Sequence, residues 1–209
     1  MNRIYMDNAA TTRVTEPVFE AMKPYFCEKF GNPMSVHSFG RESRRAVEEA
    51  RRQVAAALNA DSREIYFTGC GTESDNWALR GAAYAKGNTR RTLVTTTIEH
   101  HAILHTCEWL ENHGFEVSYI DVDENGVLKL DELKKAIRPT TILISVMFAN
   151  NEIGTIEPIK EIGAIAKEHN ILFHTDAVQA YGQVPINVDE LNIDMLSVSG
   201  HKINGPKGI

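Results

Sequence analysis

Between residues 64 and 198 the chain alternates between two kinds of pattern. Short apolar, β-branched runs fall at 64–68 (EIYFT), 92–97 (TLVTTT), 116–121 (EVSYID), 141–148 (TILISVMF), 171–176 (ILFHTD) and 194–198 (DMLSV). Between them, 72–86, 100–113, 130–137 and 158–169 space their apolar residues as helices do. Two more helical stretches, near 16–30 and 42–58, precede the first run. Strand alternating with helix dictates an α/β domain with a mostly parallel sheet. Strands that are apolar nearly throughout belong to a sheet covered by helices on both faces. Such sheets bind ligands at the carboxyl ends of their strands, so the residues just after each run are the candidates for function.

Composition removes several function classes. With 209 residues, 43% of them hydrophobic and 24% charged, the chain has the make-up of an ordinary globular protein. Its formal net charge is -6 and it has no sustained basic stripe, which argues against a nucleic-acid partner. Arg41, Arg44, Arg45, Arg51 and Arg52 are interleaved with Glu42, Glu48 and Glu49, which reads as an ion-paired helix face. No apolar run approaches the roughly 18 residues of a membrane span, and the first residues lack the apolar core of a signal peptide. Cys27, Cys70 and Cys107 are odd in number and widely spaced, which fits a reducing cytoplasm.

The run ends carry a set of polar groups. Thr68-Gly69-Cys70-Gly71-Thr72 leads into a helix, where free N–H groups and the positive dipole end suit an anion; a tight turn with an N-cap has the same pattern. Neither the phosphate-loop lysine nor the third glycine of a dinucleotide fingerprint is present. Glu99-His100-His101 offers an imidazole for stacking or proton transfer, or a histidine satisfied locally. His101 and His105 are four apart, but no HExxH and no cysteine pair supports a metal site. Asn150-Asn151 supplies amides that reach a ligand or close an Asx turn. Asp176 leaves the end of a buried run and needs a partner, either a protonated pyridine nitrogen or a structural cation. Lys202 follows the last run; inside a site a lysine loses its hydration and its amine becomes a nucleophile able to form a Schiff base. An anion cradle, a flat imidazole, an amide, an aspartate and a lysine together suit pyridoxal 5'-phosphate.

At the level of whole motifs the chain resembles the cysteine desulfurases, the iron–sulfur-cluster and nitrogenase-type branch of the class V, fold-type I pyridoxal-phosphate enzymes. The matching segments are YMDNAATT at 5–12, FGNPMSVHSFG at 30–40, TGCGTESDNWAL at 68–79, IEHHAIL at 98–104, ANNEIGTIEPI at 149–159, FHTDAVQAYG at 173–182 and DMLSVSGHKINGPKGI at 194–209. The resemblance implies roles by position. Lys202 and His100 are the catalytic pair, with Lys202 carrying the cofactor and His100 stacking on its ring. Asp176 pairs with the pyridine nitrogen, and Gln179 approaches the phenolic oxygen. Gly71, Thr72, Ser199 and His201 hold the phosphate, and Asn151 sits near the ring and the substrate carboxylate.

The implied architecture is the large domain of a fold-type I transferase, a mostly parallel sheet incomplete at its C-terminus. Residues 1–15 form an arm that belongs with a small domain, 16–209 form the cofactor-binding large domain, and the small domain itself is absent. The implied reaction converts L-cysteine to L-alanine and leaves the sulfur on an enzyme cysteine as a persulfide. That sulfur goes to iron–sulfur clusters or thio-cofactors through an acceptor or scaffold protein. A cytoplasmic homodimer whose partner completes the phosphate site is expected of the complete protein. In the family the persulfide cysteine and the arginine that clamps the substrate lie well beyond the lysine, whereas this chain runs seven residues past Lys202. The expectation is therefore an amino-terminal fragment that is inactive alone. Other readings are a selenocysteine lyase, an aminotransferase or a kynureninase-like hydrolase of the same class, and a non-catalytic cofactor-binding fragment.

Overall fold

Pro24 divides the first helical stretch. The computed structural model describes residues 3–86 and 91–209, so the predicted arm is seen from its third residue and its first two lie outside the described residues. In place of one helix over 16–30 there are two, α1 (Glu16–Met22) and α2 (Pro24–Cys27). Proline has no N–H to continue the first helix but suits the opening of the second. The next helix, α3 (Ser38–Leu58), starts earlier than predicted because His37 caps it, its Nδ1 accepting from Gly40 N at 3.4 Å. It ends at Asn59, which takes the left-handed conformation at φ 58°.

These helices belong to one of two compact units, residues 1–67 with 200–209. The predicted strand at 64–68 is absent. Ser62–Glu64 is a 3-10 turn closed by a capping box between Asp61 and Glu64, and no strand forms over the residues that follow. The β-branched pattern was local, whereas a strand needs a neighbour to pair with. Instead Ile65 and Phe67 pack on α3: Arg51 Nη1 donates to Ile65 O, and its guanidinium lies 5.0 Å over the Phe67 ring. In the same unit the arm is tied to the segment after residue 199. Thr12 N and Thr12 Oγ1 donate to His201 O at 3.0 and 2.8 Å, and Thr15 N donates to Asn204 O at 3.3 Å.

The second unit, residues 68–199, holds the sheet. Its strands are β1 (Thr92–Thr96), β2 (Glu116–Ile120), β3 (Thr141–Ser145), β4 (Leu172–Asp176) and β5 (Met195–Ser197). They lie in the order β2-β1-β3-β4-β5, every pair parallel. The helices between them are α4 (Gly71–Lys86), α5 (His101–Glu111), α6 (Leu130–Ala136) and α7 (Ile159–Glu168). α4 packs on α5 and α6 on α7, as right-handed crossovers in opposite directions from β1 require. All five residues of β1 and of β3 are buried, as strands covered on both faces must be, while β2 at the edge is largely open to solvent. α5 turns Ile103, Cys107 and Leu110 inward, spaced three and four apart, against Leu79, Ala82 and Ala83 of α4 and Leu93 of β1. Strand order reverses between β1 and β3, which places the switch point, and hence the natural ligand crevice, outside their carboxyl ends.

Candidate active site

Two loops leave the switch point and are stapled to each other. Glu99, just past β1, accepts from Thr96 Oγ1 at 2.7 Å and from Met147 N, just past β3, at 2.9 Å. Asn150 completes the staple: its Nδ2 donates to Ile98 O at 2.9 Å, and its Oδ1 accepts from the N–H groups of Glu152 and Ile153. Asn150 is thus consumed by structure, and the partly exposed Asn151 is the amide left facing outward, with its Nδ2 on Glu152 Oε1 at 2.8 Å.

The N-terminus of α4 meets the end of β5 at Gly71. A Cβ there would stand 3.0 Å from Val178 Cγ2 and 3.6 Å from Ser199 Cβ, so only a glycine lets the helix start come this close. Two hydrogen bonds brace the turn before it: Gly69 N donates to Glu73 Oε2 at 2.5 Å, and Thr68 and Ser74 share a hydroxyl bond of 2.7 Å. Thr72 and His100 line one cleft of about 330 Å³ between α4 and α5, together with Asn76 and Arg80. His100 caps α5 by accepting from Ala102 N at 3.1 Å through Nδ1, which fixes the ring plane. Asp176 ends β4, 6% exposed, with Oδ1 accepting from Val178 N at 2.9 Å. Gln179 follows on the turn at 177–180, half-buried.

The structure therefore brings Gly71 into packing with Ser199, and Thr72 into one cleft with His100. His201 and Lys202 belong to the other unit, where His201 Nδ1 lies 3.0 Å from Thr11 Oγ1. Burial, then the charges of Lys202 and Lys207, lower the His201 pKa. Lys202 Nζ donates to the carbonyls of Ala9 and Ala10, the latter at 3.0 Å. Among the described residues no group of three or more histidines, cysteines and acids is placed to hold a metal; His101 and His105 stack ring on ring, 5.2 Å apart.

Sequence reasoning missed the polar layer beneath Asp176. Asp75 of α4, Ser145, His174 and Ser197 are at most 2% exposed, and Glu99 is 6% exposed. Burial raises Asp75 well above the usual carboxylate range, with Asp176 adding to the shift. Burial likewise pushes Glu99 up to about 8, opposed by its bonds from Thr96 and Met147. Burial holds His174 down at about 3, so it is neutral. Asp75 Oδ1 lies 3.7 Å from His174 Nε2, an ion-pair distance, yet both groups are driven neutral and the contact is not a salt bridge. The signal was in the spacing. His174 and Asp176 are two apart on a strand and share a face, and Asp75 is one helical turn beyond Gly71.

A pyridoxal-phosphate group fits the chemistry present. The start of a 16-residue helix, with Ser199 packed beside Gly71, offers backbone N–H groups and a hydroxyl to a phosphate. A buried carboxylate at a strand end suits a cationic ring nitrogen, and an imidazole with a fixed plane suits an aromatic ring.

The chain is similar to known proteins along nearly its whole length. A cysteine desulfurase IscS from Methanosarcina thermophila is 60% identical over 205 residues, covering 98% of this chain and 51% of that one. A solved NifS-like protein superposes with a TM-score of 0.97 at 46% identity, over 99% of this chain and 57% of that one. A structure of SspA in complex with cysteine gives 0.96 at 43% identity, over 99% and 59%. The chain spans about half the length of the curated relatives it matches. The aminotransferase class-V model matches residues 4–209, nearly the whole sequence, and the chain belongs to that family.

Proposed function

We propose that these residues form the cofactor-binding part of a pyridoxal-phosphate-dependent cysteine desulfurase. Its substrate is L-cysteine, its products are L-alanine and a persulfide on an enzyme cysteine, and the sulfur passes to an acceptor or iron–sulfur scaffold protein in the cytoplasm. The observation that carries this reading is the convergence of Gly71, Ser199 and the buried Asp176 on the carboxyl ends of β4 and β5, in a chain so close to proteins named cysteine desulfurase. When bound, the cofactor supplies an electron sink for charge released at the substrate α-carbon.

The chain's own groups have distinct tasks. Gly71, Thr72, Ser199 and His201 bind the phosphate, Asp176 keeps the ring nitrogen cationic, and His100 stacks on the ring. Gln179 orients the phenolic oxygen and Asn151 the substrate side of the ring. Lys202 would carry the cofactor, and its amine, when free and neutral, would take the proton from the substrate α-carbon; for either task Nζ must leave the carbonyls of Ala9 and Ala10. None of the three cysteines stands where the resemblance puts the nucleophile, which lies beyond Lys202. Burial pushes the Cys107 thiol up to about 12, and Cys70 belongs to the phosphate turn. We therefore place the persulfide cysteine, the small domain and the homodimer in the complete protein, and expect these 209 residues to bind cofactor without turning over cysteine.

The test is to mix the purified chain with pyridoxal phosphate, reduce with borohydride and map the modified peptide by mass spectrometry. Modification confined to Lys202, and lost in Lys202→Ala, is expected. Label scattered over surface lysines, or none, refutes cofactor binding by this chain. Alanine and sulfide released from cysteine, with a thiol reductant present, would instead show that the catalytic set is already complete.

In this reading the segment 98–101 matters more than its exposure suggests. Glu99 anchors the loop from below while His100 faces the cleft, so one dipeptide joins the buried acid layer to the site.

A further inference from the structure

A hydrogen-bond chain crosses four elements under Asp176. Ser145 on β3, His174 on β4, Ser197 on β5 and Asp75 on α4 share one face of the sheet; β3 pairs Ser145 with His174, and β5 pairs Ser197 with Asp176. His174 Nδ1 is 2.9 Å from Ser145 Oγ, its Nε2 is 3.1 Å from Ser197 Oγ, and Ser197 is bonded in turn to Asp75. With every member buried, the protons can run head to tail along this chain in either of two directions.

In one direction Ser145 donates to His174 Nδ1, His174 Nε2–H donates to Ser197, and Ser197 donates to an Asp75 carboxylate. That leaves Asp75 Oδ1, which has no hydrogen-bond partner, as a charged oxygen in a dry layer it shares with Asp176 and Glu99. In the other direction Asp75 donates as an acid to Ser197, Ser197 donates to His174 Nε2, and His174 Nδ1–H donates to Ser145. Oδ1 is then the carbonyl oxygen of a neutral acid. Leaving an acceptor unpaired is far cheaper for a neutral carbonyl than for a carboxylate, so the second direction wins.

We propose that Asp75 is a positioning residue, the donor end of a one-way chain through Ser197 and His174 to Ser145, which orients every proton beneath Asp176 and adds no charge of its own. Asp176 is then the single anion in reach of a cationic ring nitrogen. That last role rests on the cofactor reading above; the direction of the chain does not. The low pKa of His174 and the raised pKa of Asp75, both caused first by burial, agree with it.

The experiment is long-range proton–nitrogen NMR on the full chain labelled in its histidines, without cofactor. His174 is expected as the neutral Nδ1–H tautomer throughout the range where free histidine titrates, around pH 6.5. Asp75→Asn retains that tautomer, because the amide N–H donates to Ser197 in the same sense. Asp75→Ala loses the donor, and the tautomer population shifts. The Nε2–H tautomer or an imidazolium in the wild type overturns the proposal, as does an Asp75→Asn spectrum with the tautomer lost. If the alanine variant does not fold, the wild type and the asparagine variant still decide. Failure of the wild type to take up cofactor at Lys202 would strike cofactor binding by this chain and leave the direction of the proton chain untouched.

Discussion

Gly71 sets the clearance at the head of α4. Gly71→Ala puts a methyl 3.0 Å from Val178 Cγ2, inside ordinary contact, and pushes the helix start away from Val178 and Ser199. We expect cofactor affinity to fall about tenfold, roughly 1.4 kcal/mol, with little change in melting temperature, since alanine is the better helix former. Val178→Ala in the same chain should restore much of the loss. Titration of the visible cofactor absorption measures both, and unchanged uptake in Gly71→Ala would remove this glycine from the site. At this scale the sequence was informative about residues that end strands, because a strand end is visible as a pattern break. It was silent about Asp75, Ser145 and Ser197, whose significance comes from neighbours far along the chain. Glu99 and His174 stood inside recognised motifs, yet nothing local revealed that they face one another's layer.

Helices α4 and α7 each contain an interior glycine, and the two have opposite reasons to be there. On α7, a Cβ at Gly163 would lie 1.9 Å from the backbone oxygen of Leu191, so the helix rides directly on that turn. On α4, the nearest atom to a Cβ at Gly81 is 3.9 Å away, on Trp77. Gly163→Ala should destabilise by about 3 kcal/mol through overpacking, and Gly81→Ala should stabilise by about 0.5–1 kcal/mol. Equilibrium denaturation of the two variants checks the contrast; equal effects would contradict the packing of α7. Elements were legible wherever a run kept its period and met a pattern break at each end, which is why β1 through β5 and α4 through α7 stand close to their predicted places. Pro24 broke a stretch that periodicity had made continuous, and 64–68 showed strand composition without a strand. Composition reports what a side chain prefers; pairing depends on which backbone lies alongside.

Across the whole molecule, the buried acids and the buried histidine make stability depend on pH in opposite senses. Glu99, with its pKa raised to about 8, and Asp75, raised likewise, bind protons more tightly folded than unfolded. Their contribution is full below the unfolded carboxylate range and is lost as pH rises through the folded values. His174, lowered to about 3, contributes stability above its unfolded value, about 6.5, and loses it as pH falls. Between about pH 4.5 and 6.5 the two effects oppose each other; between about 6.5 and 8 only the acids act, so stability should fall with rising pH. Each buried acid supplies at most about 1.4 kcal/mol per pH unit. Thermal melts across that window should show a declining midpoint, with a shallower decline in Glu99→Gln. A flat or rising midpoint would mean that both carboxyls are already ionised.

The brevity of β5 has a further consequence. Three residues long and last in the strand order, it is held in the sheet by β4. The central strands draw on pairing from both sides, so the sheet should fray from this end, and amide exchange should be faster at Met195–Ser197 than at Thr141–Ser145. A protease or a chaperone would meet the segment leading to Lys202 before it met the core, and a ligand that quiets this edge would extend the lifetime of the chain as well as arm its chemistry.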